Sequence, residues 1–208
     1  MMPNKLLTYL TILLLFIYIT SIGCATKVVA PKNFSSKQAR QHYLTQYYKW
    51  QTIGKIGFVN SATNSGGSAN IDWQQNKQSF NITLYGPLQL DSLTIKGSAQ
   101  QIMLVTSKGE QTIATSPEEL LTNHSGLAIP ITGLTYWIRG LVSPASTPNN
   151  AVYDQYYQLQ HLEQDGWTIN YLRYAATNYA IRLPEKIILS HQHLRLKFIL
   201  SKWLLKYY

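Results

Sequence analysis

Few residues of this 208-residue chain are typed and spaced for chemistry. It holds five histidines, His42, His124, His161, His191 and His193. Only the last two are neighbours, and the alternation of side chains along a strand would turn both to one face. Two ligands do not make a zinc centre, which as a structural site usually has four, and acids are scarce nearby. Asp154, Glu163 and Asp165 fall close together without forming a recognisable acid/base pair. The chain has no Walker A phosphate loop, no GxSxG nucleophile elbow and no HExxH metal helix. These residues imply no metal, no cofactor and no enzyme. A hydrolase whose nucleophile meets a histidine only after folding stays open.

One reactive side chain remains. Cys24 is the only cysteine, and it closes the stretch from Leu6, which follows a single lysine, Lys5. The part from Leu10 to Ile19 is almost wholly apolar, and small residues lead to Ile22-Gly23-Cys24. A basic start, an apolar middle and a small-residue end are the anatomy of a secretory signal. Ser21-Ile22-Gly23-Cys24 resembles the lipobox of bacterial lipoproteins, in which the thiol accepts a diacylglycerol group. Ser21 departs from the commonest residue there, leucine. An uncleaved anchor is the rival reading, since the run just reaches the length of a span, although threonine, tyrosine and serine dilute it. The lipobox makes residues 1–23 a signal peptide and Cys24 the first residue of an exported, lipid-anchored chain. With the thiol acylated, no disulfide framework can form. Ala25, standing where aspartate commonly favours inner-membrane retention, points by the same resemblance to the periplasmic face of the outer membrane.

The mature chain has the length of one domain. Charged residues make up 13% of the whole, and Lys and Arg outnumber Asp and Glu by 18 to 9. The net charge of +9 falls to +8 once Lys5 is removed. Such an excess suits anionic lipid, an acidic partner or nucleic acid, the last unlikely company for an exported lipoprotein and so not expected. The lysines are scattered along the sequence, which reads as a solvated basic surface.

Residues 24–34 read as a tether, and 35–208 as a single domain. A helix begins near Ser35 or Ser36, either of which can cap it, and continues to about Tyr48. From Trp50 the period becomes two. Asn60–Ala69 is rich in turn formers and reads as a hairpin connection. Strands follow from Ile71, over Phe80–Leu84, near Leu93–Ile95, over Ile102–Val105 and over Gln111–Ala114. Gly97 and Lys108-Gly109 mark turns, and Gly86-Pro87 interrupts the ladder because proline has no N–H to donate. Ser116-Pro117-Glu118-Glu119 predicts a capping box on a helix over Pro117–Thr122. A second helix runs from Thr132 to Arg139 and stops at Gly140. Ser143–Asn150 is a loop. Strands over Tyr157–Leu162 and Trp167–Leu172 flank an Asp165-Gly166 hairpin turn, with others over Tyr179–Leu183, Ile187–Leu189 and Leu194–Leu200. The fold class is α+β: a sheet-dominated antiparallel domain whose helices cover one face.

Several pieces together resemble the LolB family of outer-membrane lipoprotein receptors. They are Ile71-Asp72-Trp73-Gln74-Gln75, Leu84 through Gly86-Pro87-Leu88, Pro117–Leu121 and Tyr136-Trp137-Ile138-Arg139-Gly140-Leu141. Further on come Gln164 to Tyr171, Leu183-Pro184 and Leu196–Trp203. Gln89 departs from the family's usual glycine. The resemblance implies a strongly curved sheet, an unclosed β-barrel with a helical lid around a hydrophobic cavity. It implies a monomeric acceptor that takes lipoproteins from the periplasmic carrier LolA and inserts them into the outer membrane without nucleotide. Pro87 and Leu88 match the loop that delivers to the membrane, although a leucine on pattern alone is most often core. Trp73, Leu84, Trp137, Trp167 and Trp203 are candidates to line the cavity, or equally to fill an ordinary core. Arg139 reads as a helix-end cation or a headgroup contact. The rival reading is a structural outer-membrane lipoprotein with no transfer activity.

Overall fold

The computed structural model describes residues 30–86, 92–98, 101–125 and 129–206. The signal peptide, Cys24, most of the tether, and Pro87 and Leu88 lie outside the described residues.

The first helix, α1 (Lys37–Thr45), is capped by Ser36, whose hydroxyl accepts from the Ala39 N–H at 3.1 Å. Six strands follow: β1 (Lys49–Asn60), β2 (Ser65–Asn76), β3 (Ser79–Tyr85), β4 (Ser92–Gly97), β5 (Ile102–Thr106) and β6 (Gln111–Ala114). Two helices, α2 (Pro117–Ser125) and α3 (Ile131–Trp137), cross to five more strands. These are β7 (Asn150–Tyr153), β8 (Leu159–Gln164), β9 (Trp167–Ala176), β10 (Arg182–His191) and β11 (Leu194–Lys206). All eleven form one antiparallel sheet in the order β6-β5-β4-β3-β2-β1-β11-β10-β9-β8-β7. Two meanders therefore join at the β1–β11 seam. β6 and β7 are the edges and do not pair with each other, so the sheet is unclosed.

Three differences from the sequence expectation have local causes. The β1–β2 connection is only residues 61–64, because Gly66 and Gly67 continue the ladder opposite Val59 and Phe58. The Phe58 ring lies against Gly67 where a Cβ would sit, so the glycines provide room for a neighbour. Gly97 is the last paired residue of β4, opposite Phe80, and the turn comes after it. β7, a four-residue edge strand, is too short to show a period.

Register puts one face of each strand inside. A single row crosses the sheet as Leu104, Ile95, Ile82, Trp73, Thr52 and Trp203. In β11, Leu194, Leu196, Phe198 and Leu200 are buried while Arg195, Lys197 and Ile199 face out. The β1–β11 register shifts between Ile53 and Gly54, where Ser201 is the extra residue and donates its hydroxyl to Ile53 O at 3.1 Å. Bulges of this kind bend and twist a strand. Gly54 is required there, since a Cβ would collide with the Ile199 carbonyl oxygen. Further shifts interrupt β10 near Pro184–Ile187 and β7 near Tyr153.

Candidate functional site: the inner face of the sheet under its helices

The two central helices are capped by polar groups, and α3 is tied to the sheet by buried ones. At α2, the Ser116 hydroxyl accepts from the Glu119 N–H at 3.0 Å. The Glu119 carboxylate reaches back to the Thr115 hydroxyl and N–H rather than to Ser116, a capping box displaced by one residue. Glu118 points the other way: its carboxylate accepts from the Thr132 N–H at 3.1 Å. It supplies the cap that α3 lacks, because Pro130 at the α3 N-cap has no side-chain acceptor. The far end of α3 closes in a left-handed turn. Gly140 has φ +72° and donates to Trp137 O, and Leu141 donates to Tyr136 O, the paired bonds of a glycine C-cap.

Beyond that turn, Gln164 is wholly buried and fully satisfied. Its oxygen accepts from Trp137 Nε1 at 2.8 Å and from the Ser143 N–H at 3.0 Å; its amide donates to Ser143 O and Ser146 O. Tyr171 donates to Trp137 O at 2.9 Å. These bonds hold α3 and the segment after it against β8 and β9.

Two arginines are buried without a carboxylate. Arg139 donates through Nε to Thr135 O and through Nη1 to Leu44 O and Tyr47 O, at 3.0, 3.5 and 3.2 Å. Its guanidinium lies over the rings of Trp50 and Tyr136. It thus serves two helix ends, its own through Thr135 O and that of α1 through Leu44 O and Tyr47 O. Burial pushes its pKa down to about 10. Arg40 of α1 donates to Gly140 O and Arg182 O, and burial lowers its pKa also. Cations bonded to carbonyls and lying over rings join α1 to α3 and to the turn after it across the inner face. Arg40 was not singled out by the sequence, where it is one basic residue on a short helix.

The expected lining residues fall into two clusters. Trp73 is buried against Trp50, which also packs on Trp203, with ring centroids 5.6 and 5.8 Å apart. Trp73 Nε1 donates to Gln75, and half-buried Trp203 donates to Pro184 O. At the other end of the sheet, Trp137 and Trp167 lie 6.4 Å apart. Trp73, Trp137 and Trp167 are 1%, 0% and 4% exposed. Leu84 is half-buried, between Ile71 and Leu93 in the last inner row before β3 ends. Trp50 was missed because its strand register, which turns it inward, depends on β11. An open cleft of about 530 Å³ borders the first cluster, and a hollow of about 330 Å³ lies between residues 31–34 and Arg40, Gln158 and Arg182.

Of the titratable residues noted in the sequence, His161 and Glu163 meet, and the two C-terminal histidines do not join them. His191 ends β10, stacks on Trp167 and bonds Gly166 O. His193 lies in the turn that follows, 3.4 Å from the exposed Ser61 hydroxyl with no carboxylate behind it. The turn, not strand alternation, sets their directions. His161 contacts Asn170 and Glu163, and these bonds raise its pKa. Among the described residues no group of three or more His, Cys, Asp or Glu gathers as a metal site, and no helix is long and apolar enough to cross a membrane.

An unclosed antiparallel sheet with helices over its inner face is an architecture shared with the LolA superfamily. A solved LolA-superfamily protein from Nitrosomonas europaea superposes with a TM-score of 0.51 at 6% identity, over 83% of this chain and 94% of that one. The family model described as outer membrane lipoprotein LolB matches residues 48–203. The outer-membrane lipoprotein LolB of Francisella tularensis subsp. tularensis is 32% identical over 92% of this chain and 91% of its own. That of Nitrosococcus oceani is 34% identical over 80% and 81%. The chain belongs to the LolB family. It is a lipid-anchored protein of the outer membrane with a place in lipoprotein transport.

Proposed function

We propose that this protein accepts lipoproteins from a LolA-type periplasmic carrier and passes them to the outer membrane without nucleotide. The observation that carries the reading is the largely apolar inner face of an unclosed sheet, covered by short helices. Each acyl CH₂ left in water costs about 0.8 kcal/mol. Acyl chains therefore leave one dry surface only for another, and a downhill series from carrier to acceptor to bilayer needs no ATP.

In this reading Trp73, Leu84, Trp137, Trp167 and Trp203 line the space that acyl chains enter when α2 and α3 shift away from the sheet. Cys24 carries the anchor. Pro87 and Leu88, in the chain segment between β3 and β4, deliver cargo; burying Leu88 in lipid would contribute roughly 1.5–3 kcal/mol. The protein acts as a monomer. A structural lipoprotein with no transfer activity is the second reading, favoured by the close packing of Trp73 and Trp137.

The test mixes the protein with a radiolabelled lipoprotein held by its carrier. Label should move to this chain without nucleotide, and failure of the folded protein to take it would overturn the proposal. Leu88→Glu should retain uptake and lose delivery to vesicles. Equal loss of both steps would place Leu88 in the core.

A further inference from the structure

The cations that the sequence scatters are gathered by strand register onto the outer face of the central sheet. β1 presents Lys49 and Lys55 outward. Beside them β11 presents Arg195, Lys197, Lys202 and Lys206, and β10 adds Lys186 opposite Ile199. None of these forms an ion pair among the described residues. The nearby acids are engaged elsewhere: Asp72 accepts from Gln51 at 2.7 Å, and Glu185 is bound by Arg173 at 2.6 Å. Between the cations stand Val59, Ile199 and Leu204, which are 57%, 37% and 39% exposed. At about 3.3 Å per residue the stripe runs roughly 35 Å along the strands.

At one end Lys49 and Lys206 face each other directly across the ladder, a like-charge pair that opposes folding. They border the cleft of about 530 Å³, with Trp50, Phe80 and Leu204 on its wall. The tether leaves the domain at that same end. Lys32 N–H donates to Ala180 O at 2.6 Å, just before β10, and Trp203 Nε1 bonds Pro184 O within β10. The chain leading to Cys24 thus starts near the first residues of β10, with Lys32 and Phe34 against Tyr43 of α1.

We propose that this outer face docks on anionic phospholipid headgroups of the membrane that holds the anchor, and so fixes the orientation of the domain. Charge complementarity selects an anionic surface, and an acyl anchor on Cys24 would keep the membrane within reach of it. Each cation close to an anionic bilayer strengthens association roughly fivefold. The attraction fades within about 8 Å at physiological ionic strength, so the face must touch the headgroups. The inference rests on acylation of Cys24.

The test uses the full acylated chain in phosphatidylethanolamine vesicles with or without phosphatidylglycerol. A spin label at Ser68→Cys reports the outer face, and one at Lys108→Cys reports the β5–β6 turn. Paramagnetic headgroup-chelated nickel should relax the first label in phosphatidylglycerol vesicles only, and high salt should abolish the effect. Lys55→Glu, Lys197→Glu and Lys202→Glu together should reduce the docked population at least about tenfold. The matching Gln variants should lose less while keeping the wild-type unfolding midpoint. A Ser68 label indifferent to phosphatidylglycerol, on a chain still held by the vesicle, would overturn the proposal and leave the anchor intact. So would a charge-reversed chain that docks normally but no longer binds an acidic soluble partner. A wild-type chain that neutral vesicles release as readily as Cys24→Ser would instead remove the anchor.

Discussion

Tyr171 and Tyr174 show how single buried side chains tie one element to the next. Tyr171 donates to Trp137 O in α3, and Tyr174 donates to Leu159 O in β8 at 2.8 Å. Burial raises both pKa values, because a phenolate there would lose water and its donated bond. Neutral phenol in the fold stabilises the protein fully below its ordinary pKa of 10, and that stability is lost as pH rises through the raised values. Spectrophotometric titration at 295 nm should therefore show two tyrosines that ionise only with unfolding. Tyr171→Phe should remove one of them and cost about 1–3 kcal/mol, since Trp137 O is left unpaired. Two phenols titrating reversibly in the folded protein would contradict the assignment. Arg139 runs the other way: its pKa near 10 means that burying the charge opposes folding below that value and less so above it. Its role as a cap for α1 was half legible. The sequence places a cation at the end of α3, where it bonds Thr135 O, and only packing shows that it also serves α1.

At the scale of elements, local signals and tertiary demands can be separated. Ser36, Ser116 and Gly140 begin or end their helices as their types dictate. Asp165 and Gly166 both have positive φ, as a two-residue hairpin turn requires. The β1–β2 hairpin is shorter than its composition suggests, because pairing along the glycines outweighs their turn propensity. The contact between α2 and α3 rests on one carboxylate. Glu118→Ala should leave the Thr132 N–H unpaired and cost about 0.5–2 kcal/mol, the usual loss of an N-cap. Urea denaturation gives the magnitude, and hydrogen exchange at the Thr132 amide should rise in step. Unchanged exchange there would mean that the helices are held together by apolar packing alone.

At the scale of the molecule, the question is whether the inner face opens. The inner row from Leu104 to Trp203 is apolar but for Thr52, and Trp73 and Trp137 are closed over. If the helices shift to admit acyl chains, a brominated fatty acid should quench tryptophan emission of the folded protein in a saturable way. Restricting the α2–α3 pair with an engineered disulfide should reduce that quenching several-fold, and reduction of the bond should restore it. Quenching that never saturates, or none at all, would favour a solid core and the structural reading.

The sequence by itself determined what depends on neighbours in the chain. The α+β class, the period of two in β11 and the caps at Ser36, Ser116 and Gly140 all depend on short-range geometry. The family was legible too, because its motifs keep their order and spacing. Only the tertiary structure decided which strands are neighbours, and from that followed everything set by register. The β1–β11 seam joins residues near opposite ends of the chain, turns Trp50 inward beside Trp203, and lines up lysines that lie far apart in sequence. No period in a single strand contains that information, because it belongs to the hydrogen bonds between strands.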